Sequence, residues 1–155
     1  MTAYLERMPA GFSGDVTRKG NAVLEPNIMG ASPLPFGAVV QLTDGKVAAI
    51  ASGGTVYGFL VRPYPMQSFD TDMAAGTMPA AATCDILRSG YMSVPLKSGT
   101  PAKGAQVHVR IVAGSGRLVG DLEAAADGSN TMPVPGCFFM GAPDANGITE
   151  IGYNV

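Results

Sequence analysis

GAVVQLTDGKVAAI, residues 37–50, places two apolar runs on either side of Thr43-Asp44-Gly45. Asp-Gly between such runs is a strong short-range hairpin signal, because both central residues of the tight turn must tolerate positive φ. GAVVQL and KVAAI are therefore read as two antiparallel strands, and TVYGFLVRP follows as a third that ends at Pro63, where the ring removes a ladder donor.

The same pattern recurs downstream. TCDILRSG, YMSVPL and QVHVRIV read as strands, then RLVG after the turn Gly114-Ser115-Gly116, then TMPVPG, CFFMG and ITEIGYNV. Asp127-Gly128 and Asn146-Gly147 supply further turns, since Gly, Asn and Asp accept the left-handed conformations that turns require. About ten short strands, turn signals every ~8–12 residues and no amphipathic helical stretch beyond a short DLEAAAD predict an all-β fold. The expected body is a compact β-barrel or β-sandwich of jelly-roll-like kind, without a clean internal repeat.

At 155 residues the chain is long enough for one core and too short for two independent ones. Residues 1–35 mix Pro9, Pro26, Pro33 and Pro35 with Gly11, Gly14, Gly20 and Gly30, and their apolar residues follow no sustained period. They are expected to form an extended N-terminal arm, with the barrel or sandwich over residues 36–155. Within that body, PYPMQSFDTDMAAGTMPAAA at 63–82 carries three prolines and three methionines but no strand or helix pattern. A structureless stretch of that length in a compact domain is typically functional or disordered.

Ten Lys+Arg against twelve Asp+Glu give a net charge of −2, and no basic run could neutralise several phosphates, so nucleic acid is not an expected partner. Charged residues make up only 14%, well below the roughly 25% usual for soluble domains. A surface so poor in charge implies that part of it is covered. Cys84 and Cys137 form no CxxC pair or Cys/His cluster and are expected to be buried free thiols. MTAYLERMPAGFSGD lacks the apolar core of a signal peptide, and no stretch of about 18 apolar residues marks a membrane span.

His108 is the single histidine. In Gln106-Val107-His108-Val109-Arg110-Ile111, alternation sends Val107, Val109 and Ile111 to one face and Gln106, His108 and Arg110 to the other. A histidine base needs a nucleophile or metal and an orienting group, and no motif supplies them, so His108 is read as a solvent-facing or interface residue beside Arg110. Gly114-Ser115-Gly116-Arg117-Leu118-Val119-Gly120 has the wrong spacing for a phosphate loop and reads as a hairpin turn. Asp70-Thr71-Asp72 lacks the further oxygen ligands a hard cation demands. Asp121, Glu123 and Asp127 read as surface charge. No catalytic residue, cofactor or metal is expected, and the chain is not expected to be an enzyme. Met66, Met73 and Met78 fall in the long loop, where flexible thioethers suit an irregular interface; Met92 and Met140 suit the core.

Four segments, in this order, carry a resemblance: RMPAGFSGDVTRKGNAVLEP at 7–26, VYGFLVRPYPMQ at 56–67, DILRSGYMSVPLKSGTPAKGAQVHVRI at 85–111, and AADGSNTMPVPGCFFMG through ITEIGYNV. The sequence resembles the structural cement, or head-decoration, proteins of tailed bacteriophages. The resemblance implies a β-rich body on the outer surface of a phage head, bound to the major capsid protein across junctions between capsomers. It also implies assembly in the host cytoplasm and self-association as a homodimer or homotrimer at a symmetry axis. The alternative is a particle-displayed β-barrel that binds a carbohydrate or a receptor; the absence of Trp counts against an aromatic sugar platform.

Contact residues are expected in the arm at Arg7, Met8, Phe12, Asp15 and Arg18, in the loop at Met66, Phe69 and Met73, on the polar strand face at His108 and Arg110, and in the C-terminal strand. An extended arm lays apolar and backbone groups along a neighbour, and an exposed strand edge is a ready site for pairing with another chain.

Overall fold

The computed structural model describes residues 11–63 and 76–155. Among these lie eleven strands: β1 (Val23–Ile28), β2 (Leu34–Pro35), β3 (Val39–Thr43), β4 (Lys46–Ala49), β5 (Gly58–Leu60), β6 (Thr77–Met78), β7 (Thr83–Ser98), β8 (Gln106–Arg110), β9 (Leu122–Glu123), β10 (Thr131–Phe139) and β11 (Ile148–Tyr153). The all-β expectation holds, and its hairpin lies where Thr43-Asp44-Gly45 placed it. Thr43 pairs with Lys46, and Asp44 and Gly45 carry φ of 52° and 73°, the conformation that fits the right-handed twist of the strands.

Strand β7 organises everything else. Its C-terminal half pairs with β11, β11 with β10, β10 with β8, β8 with β9, and β9 returns to β7. Five strands thus close a ring. Its N-terminal half pairs with β1 on one edge and β5 on the other, β5 continues to β3 and β4, and Val47 of β4 bridges Met29 at the end of β1. A second small ring therefore shares β7 with the first, and closure removes most open edges.

The cores follow this arrangement. Ile86, Leu60, Val40, Val47, Met29 and Cys84 fill the second ring. Their strand neighbours Leu87, Phe59 and Val39 point the opposite way and join Met92, Val94, Val107, Val109, Phe139 and Ile151 in the larger cluster. This explains why every residue of β5 is buried. Met92 lies in the core and Met140 is half-buried. Cys84 and Cys137 are buried free thiols.

Three boundaries depart from the sequence reading. TCDILRSG and YMSVPL are one continuous strand, because Gly90, at φ 136°, carries the chain through rather than ending it. A Cβ there would sit 3.0 Å from the Ala22 Cα. TMPVPG and CFFMG likewise join as β10, whose register against β8 shifts between Pro133 and Phe138, a bulge that absorbs the extra residues. The end of the 63–82 loop is ordered as β6 against β2, and Met78 is buried in the second core rather than offered to an interface.

The described part of the expected arm also lies within the body. Gly14 N–H donates to Ser93 O and Ser93 N–H to Asp15 O, at 2.8 and 2.9 Å. Thr17 N–H reaches Tyr91 O at 3.1 Å, and β1 continues the same edge along β7. Mixed glycine and proline content hid this pairing, because much of the segment's stability comes from main-chain bonds rather than from a periodic apolar face.

Candidate functional site

The segment 11–28 is fixed to β7 by polar and aromatic contacts. Asp15 Oδ2 accepts the Phe12 N–H at 3.0 Å and closes a local turn, so Asp15 serves this turn. The Arg18 guanidinium lies 3.9 Å from the Tyr91 ring centroid and donates to Glu150 Oε2 at 2.9 Å, while Thr17 Oγ1 donates to Glu150 Oε1 at 2.6 Å. Hydrogen bonding to Glu150 raises the Arg18 pKa above its ordinary value. Further along, the Tyr57 hydroxyl donates to Glu25, and Arg88 stacks on Tyr57 at 3.7 Å.

What this segment leaves outside is apolar. Phe12 is 69% exposed. Leu24, Pro26 and Ile28, at alternate positions of β1 and hence on one face, are all exposed. A cleft of about 540 Å³ lies beside them, lined by Asp15, Val16, Lys19, Leu24, Val61 and Arg62 among others. The Arg62 guanidinium is 5.2 Å from the Phe12 ring and 5.6 Å from the Phe36 ring. Alternation in LEPNI was the signal for the β1 row, which sequence reasoning missed, as it missed Arg62.

Strand addition at β1 is disfavoured by its own residues. Ile28 N–H donates to Asn27 Oδ1 at 2.9 Å, so it faces off the ladder, and alternation turns position 26 the same way, where proline offers no donor. The free edge is blunted in a manner typical of edge strands, and side-chain packing remains the available contact.

The polar strand face takes a different form from the one expected. Arg110 is not an outward contact residue: its side chain is 2% exposed, as is that of Glu123, and its Nε donates to Glu123 Oε1 at 2.5 Å. Its Nη2 also reaches Asp127 Oδ2 at 2.5 Å, and Arg117 Nη1 donates to Glu123 Oε2 at 2.7 Å. Alternation correctly put Arg110 opposite the valines, but the 111–130 excursion folds back over that face. Arg110 N–H donates to Asp121 O, and Gly120 N–H to Arg110 O, both at 2.8 Å. Glu123 and Asp127, read as surface charge, thus converge on two guanidiniums. Hydrogen bonding to Arg110 lowers the Asp127 carboxyl below its ordinary range, and the same bonds, Glu123 first, raise Arg110.

His108 of β8 pairs with Pro133 of β10 on one side and with Glu123 of β9 on the other. It is half-buried, and its Nδ1 is enclosed without a hydrogen-bond partner among the described residues. Gln106, on the same face, uses Nε2 to serve Val107 O, Val134 O and Cys137 O at 3.0, 2.7 and 3.0 Å, filling the interruption in β10. Of the expected contact residues, the structure brings Phe12, Asp15 and Arg18 together beside the middle of β7, at Tyr91–Ser93, and places His108 and Arg110 on β8 instead. Arg7, Met8, Met66, Phe69 and Met73, like Asp70-Thr71-Asp72, lie outside the described residues. Among the described residues no three His, Cys, Asp or Glu side chains gather as a metal would require.

The structural cement protein family (E217 gp24/Pam3 gp6) matches residues 1–154. Among solved structures, the chain is similar to one from the capsid of Myoviridae phage XM1, with a TM-score of 0.75 and 14% identity over 97% of this chain and 94% of that one. At that identity the likeness carries the fold. No curated protein matches.

Proposed function

We propose, because the chain belongs to the structural cement protein family of phages, that it binds the outer surface of a tailed-phage head and clamps neighbouring major capsid protein subunits against the internal pressure of packaged DNA. The family match gives it a structural role in the capsid, and the family is not an enzyme class. The clamp is our reading of how that role is performed.

The observation that carries it is exposed apolar surface at two places in the fold. Phe12 and the row Leu24, Pro26 and Ile28 lie along the segment beside β7, whereas Leu118 and Val119 project from the turn after β8. A protein that joins two neighbours needs two contacts on one rigid body, and the shared strand β7 provides that rigidity between its rings. Burying roughly 600 Å² of apolar surface per copy gives about 15 kcal/mol gross, from which ordering and association costs are subtracted. Modest net binding repeated over many lattice sites reinforces a shell. Self-association at a symmetry axis, as a homodimer or homotrimer, belongs to the same proposal.

The test is a particle lacking the protein. It should release DNA at lower temperature and under milder osmotic stress than a decorated particle, and adding the purified protein should restore stability. Equal stability with and without it would favour the second reading, a displayed module for a carbohydrate or receptor. The arm contribution is tested by removing residues 2–10, since truncation beyond Gly14 would also remove main-chain bonds of the body. Undiminished co-sedimentation of the truncated protein with heads would exclude Arg7 and Met8 from the contact.

A further inference from the structure

Leu118 is 69% exposed and Val119 41%. Single exposed aliphatics are ordinary on protein surfaces, but this pair is held in place. Leu118 N–H donates to Asp121 Oδ2 at 2.8 Å, and Asp121 N–H returns to Leu118 O at 3.1 Å. Just before it, Gly114 and Arg117 exchange reciprocal main-chain bonds of 3.0 Å, and the Arg117 guanidinium is anchored on buried Glu123. The backbone on both sides of Leu118 is therefore fixed before any partner arrives, so little freedom is left to lose on binding.

Beneath this turn runs a cleft of about 330 Å³, lined by Leu34, Phe36, Val39, Pro95 and Leu122, with Leu118 and Val119 also contributing to its wall. Two charged residues line it, Lys97 and Asp121. Asp121 accepts the Leu118 N–H. Lys97 is exposed and makes no ion pair among the described residues. The cleft thus offers an apolar slot whose wall carries one carboxylate, Asp121, turned to the Leu118 N–H, and one exposed ammonium, Lys97, that no carboxylate among the described residues meets.

We infer that the Leu118–Val119 turn and the cleft it borders dock a segment of the shell protein that presents an apolar side chain next to a carboxylate, the side chain entering the slot and the carboxylate meeting Lys97. Charge complementarity at Lys97 selects this occupant, and preorganisation of the turn lowers the ordering cost of burying the exposed Leu118 side chain against it. The ion network around Arg110 and Glu123 then has a positional purpose: it fixes Arg117, and through Arg117 the turn. The inference rests on the capsid-binding reading and names one surface that performs it.

The test is co-sedimentation of the full-length protein with undecorated heads, titrated for wild type, Leu118→Ser, Lys97→Glu and the control Leu42→Ser, whose side chain is also exposed but lies on β3 outside the cleft. Leu118→Ser should weaken binding by about tenfold or more, the loss of one anchor. Lys97→Glu should weaken it and reduce its salt sensitivity, while Leu42→Ser should stay within about twofold. Each variant is checked for an unchanged unfolding midpoint. Wild type that binds heads while Leu118→Ser binds equally well overturns this site and leaves the capsid reading intact. Loss of self-association in Leu118→Ser, with head binding unchanged, overturns it in favour of a contact between copies. Wild type that fails to bind heads overturns the capsid reading and the site with it.

Discussion

Arg110 of β8 and Glu123 of β9 form an ion pair at 2.5 Å in which both side chains are 2% exposed. Burying such a pair costs desolvation that its attraction recovers only with further partners, and here Asp127 and Arg117 supply them. Glu123→Gln leaves two guanidiniums without their shared carboxylate. It should destabilise the fold by about 3 kcal/mol, the lower end for breaking a buried pair, since Asp127 still faces Arg110. Urea unfolding measures this. The double variant Arg110→Met, Glu123→Leu should lie within about 1 kcal/mol of wild type or above it, and a double variant as unstable as the single one would contradict this account.

Asp127 gives the network an acid dependence. Its folded carboxyl is held below the ordinary aspartate range by hydrogen bonding to Arg110, so the folded state binds fewer protons than the unfolded state in that window. The contribution is complete above the unfolded aspartate value of about 3.9 and is lost as pH falls through the lower folded value. Asp127→Asn should therefore flatten the acid limb of stability against pH while leaving its slope near neutrality unchanged. An identical acid limb in the variant would count against it.

These residues also show what a sequence can and cannot reveal. The β3–β4 hairpin was legible because Asp44-Gly45 and its flanking apolar runs are adjacent in the chain, and turn chemistry is local. Alternation in QVHVRI placed Val107 and Val109 in the core for the same reason. Arg110 was misplaced because its environment depends on Glu123 and Asp127, brought back by an irregular excursion with no periodic signal. The Gly14–Ile28 segment was likewise hidden, since main-chain bonds to β7 leave no mark on composition. Family membership was legible from the order of segments, whereas the Leu118 turn emerged only when Asp121 and Arg117 were seen to hold it.

Gly90→Ala tests the junction of the two rings. Gly90 adopts φ 136°, a region costly for any L side chain, and the added methyl would press on Ala22 main chain. The substitution should cost about 1–3 kcal/mol and loosen the segment before β1, so limited proteolysis should cut within residues 17–23 sooner than in wild type. Gly45→Ala makes a useful contrast: its φ is 73°, but nothing lies within 4 Å of the new methyl. It should pay only the conformational cost and leave that segment protected.

Cys84 and Cys137 should be silent in the folded state. Burial pushes the Cys84 thiol up to about 11, with Asp85 adding to the shift, and burial alone pushes Cys137 higher still. Both are protonated at pH 8, and the thiolate is the reactive form. A thiol reagent at pH 8 should label neither in native protein and both in denaturant. Both thiols also favour the folded state below the ordinary thiol range, and this preference is lost as pH rises through it toward the folded values. Rapid native labelling of Cys137 would show that the larger core opens more readily than its packing implies.

Gln106 provides the strictest test of the β10 bulge. Its amide nitrogen is the donor facing Val107 O, Val134 O and Cys137 O, so it satisfies carbonyls that the register shift between Pro133 and Phe138 leaves without ladder partners. Gln106→Leu removes the donor and should cost about 1–3 kcal/mol, the penalty for stranding partly buried acceptors. Gln106→Glu keeps the shape but turns an acceptor toward acceptors, so near neutral pH it should cost more than leucine. Repulsion among these oxygens favours the protonated carboxyl, which regains one donor, so the glutamate variant should recover stability relative to wild type as pH falls toward 4 while the leucine variant does not. Parallel pH profiles for the two variants would mean that the bulge is held by backbone geometry and that the amide contributes only its volume.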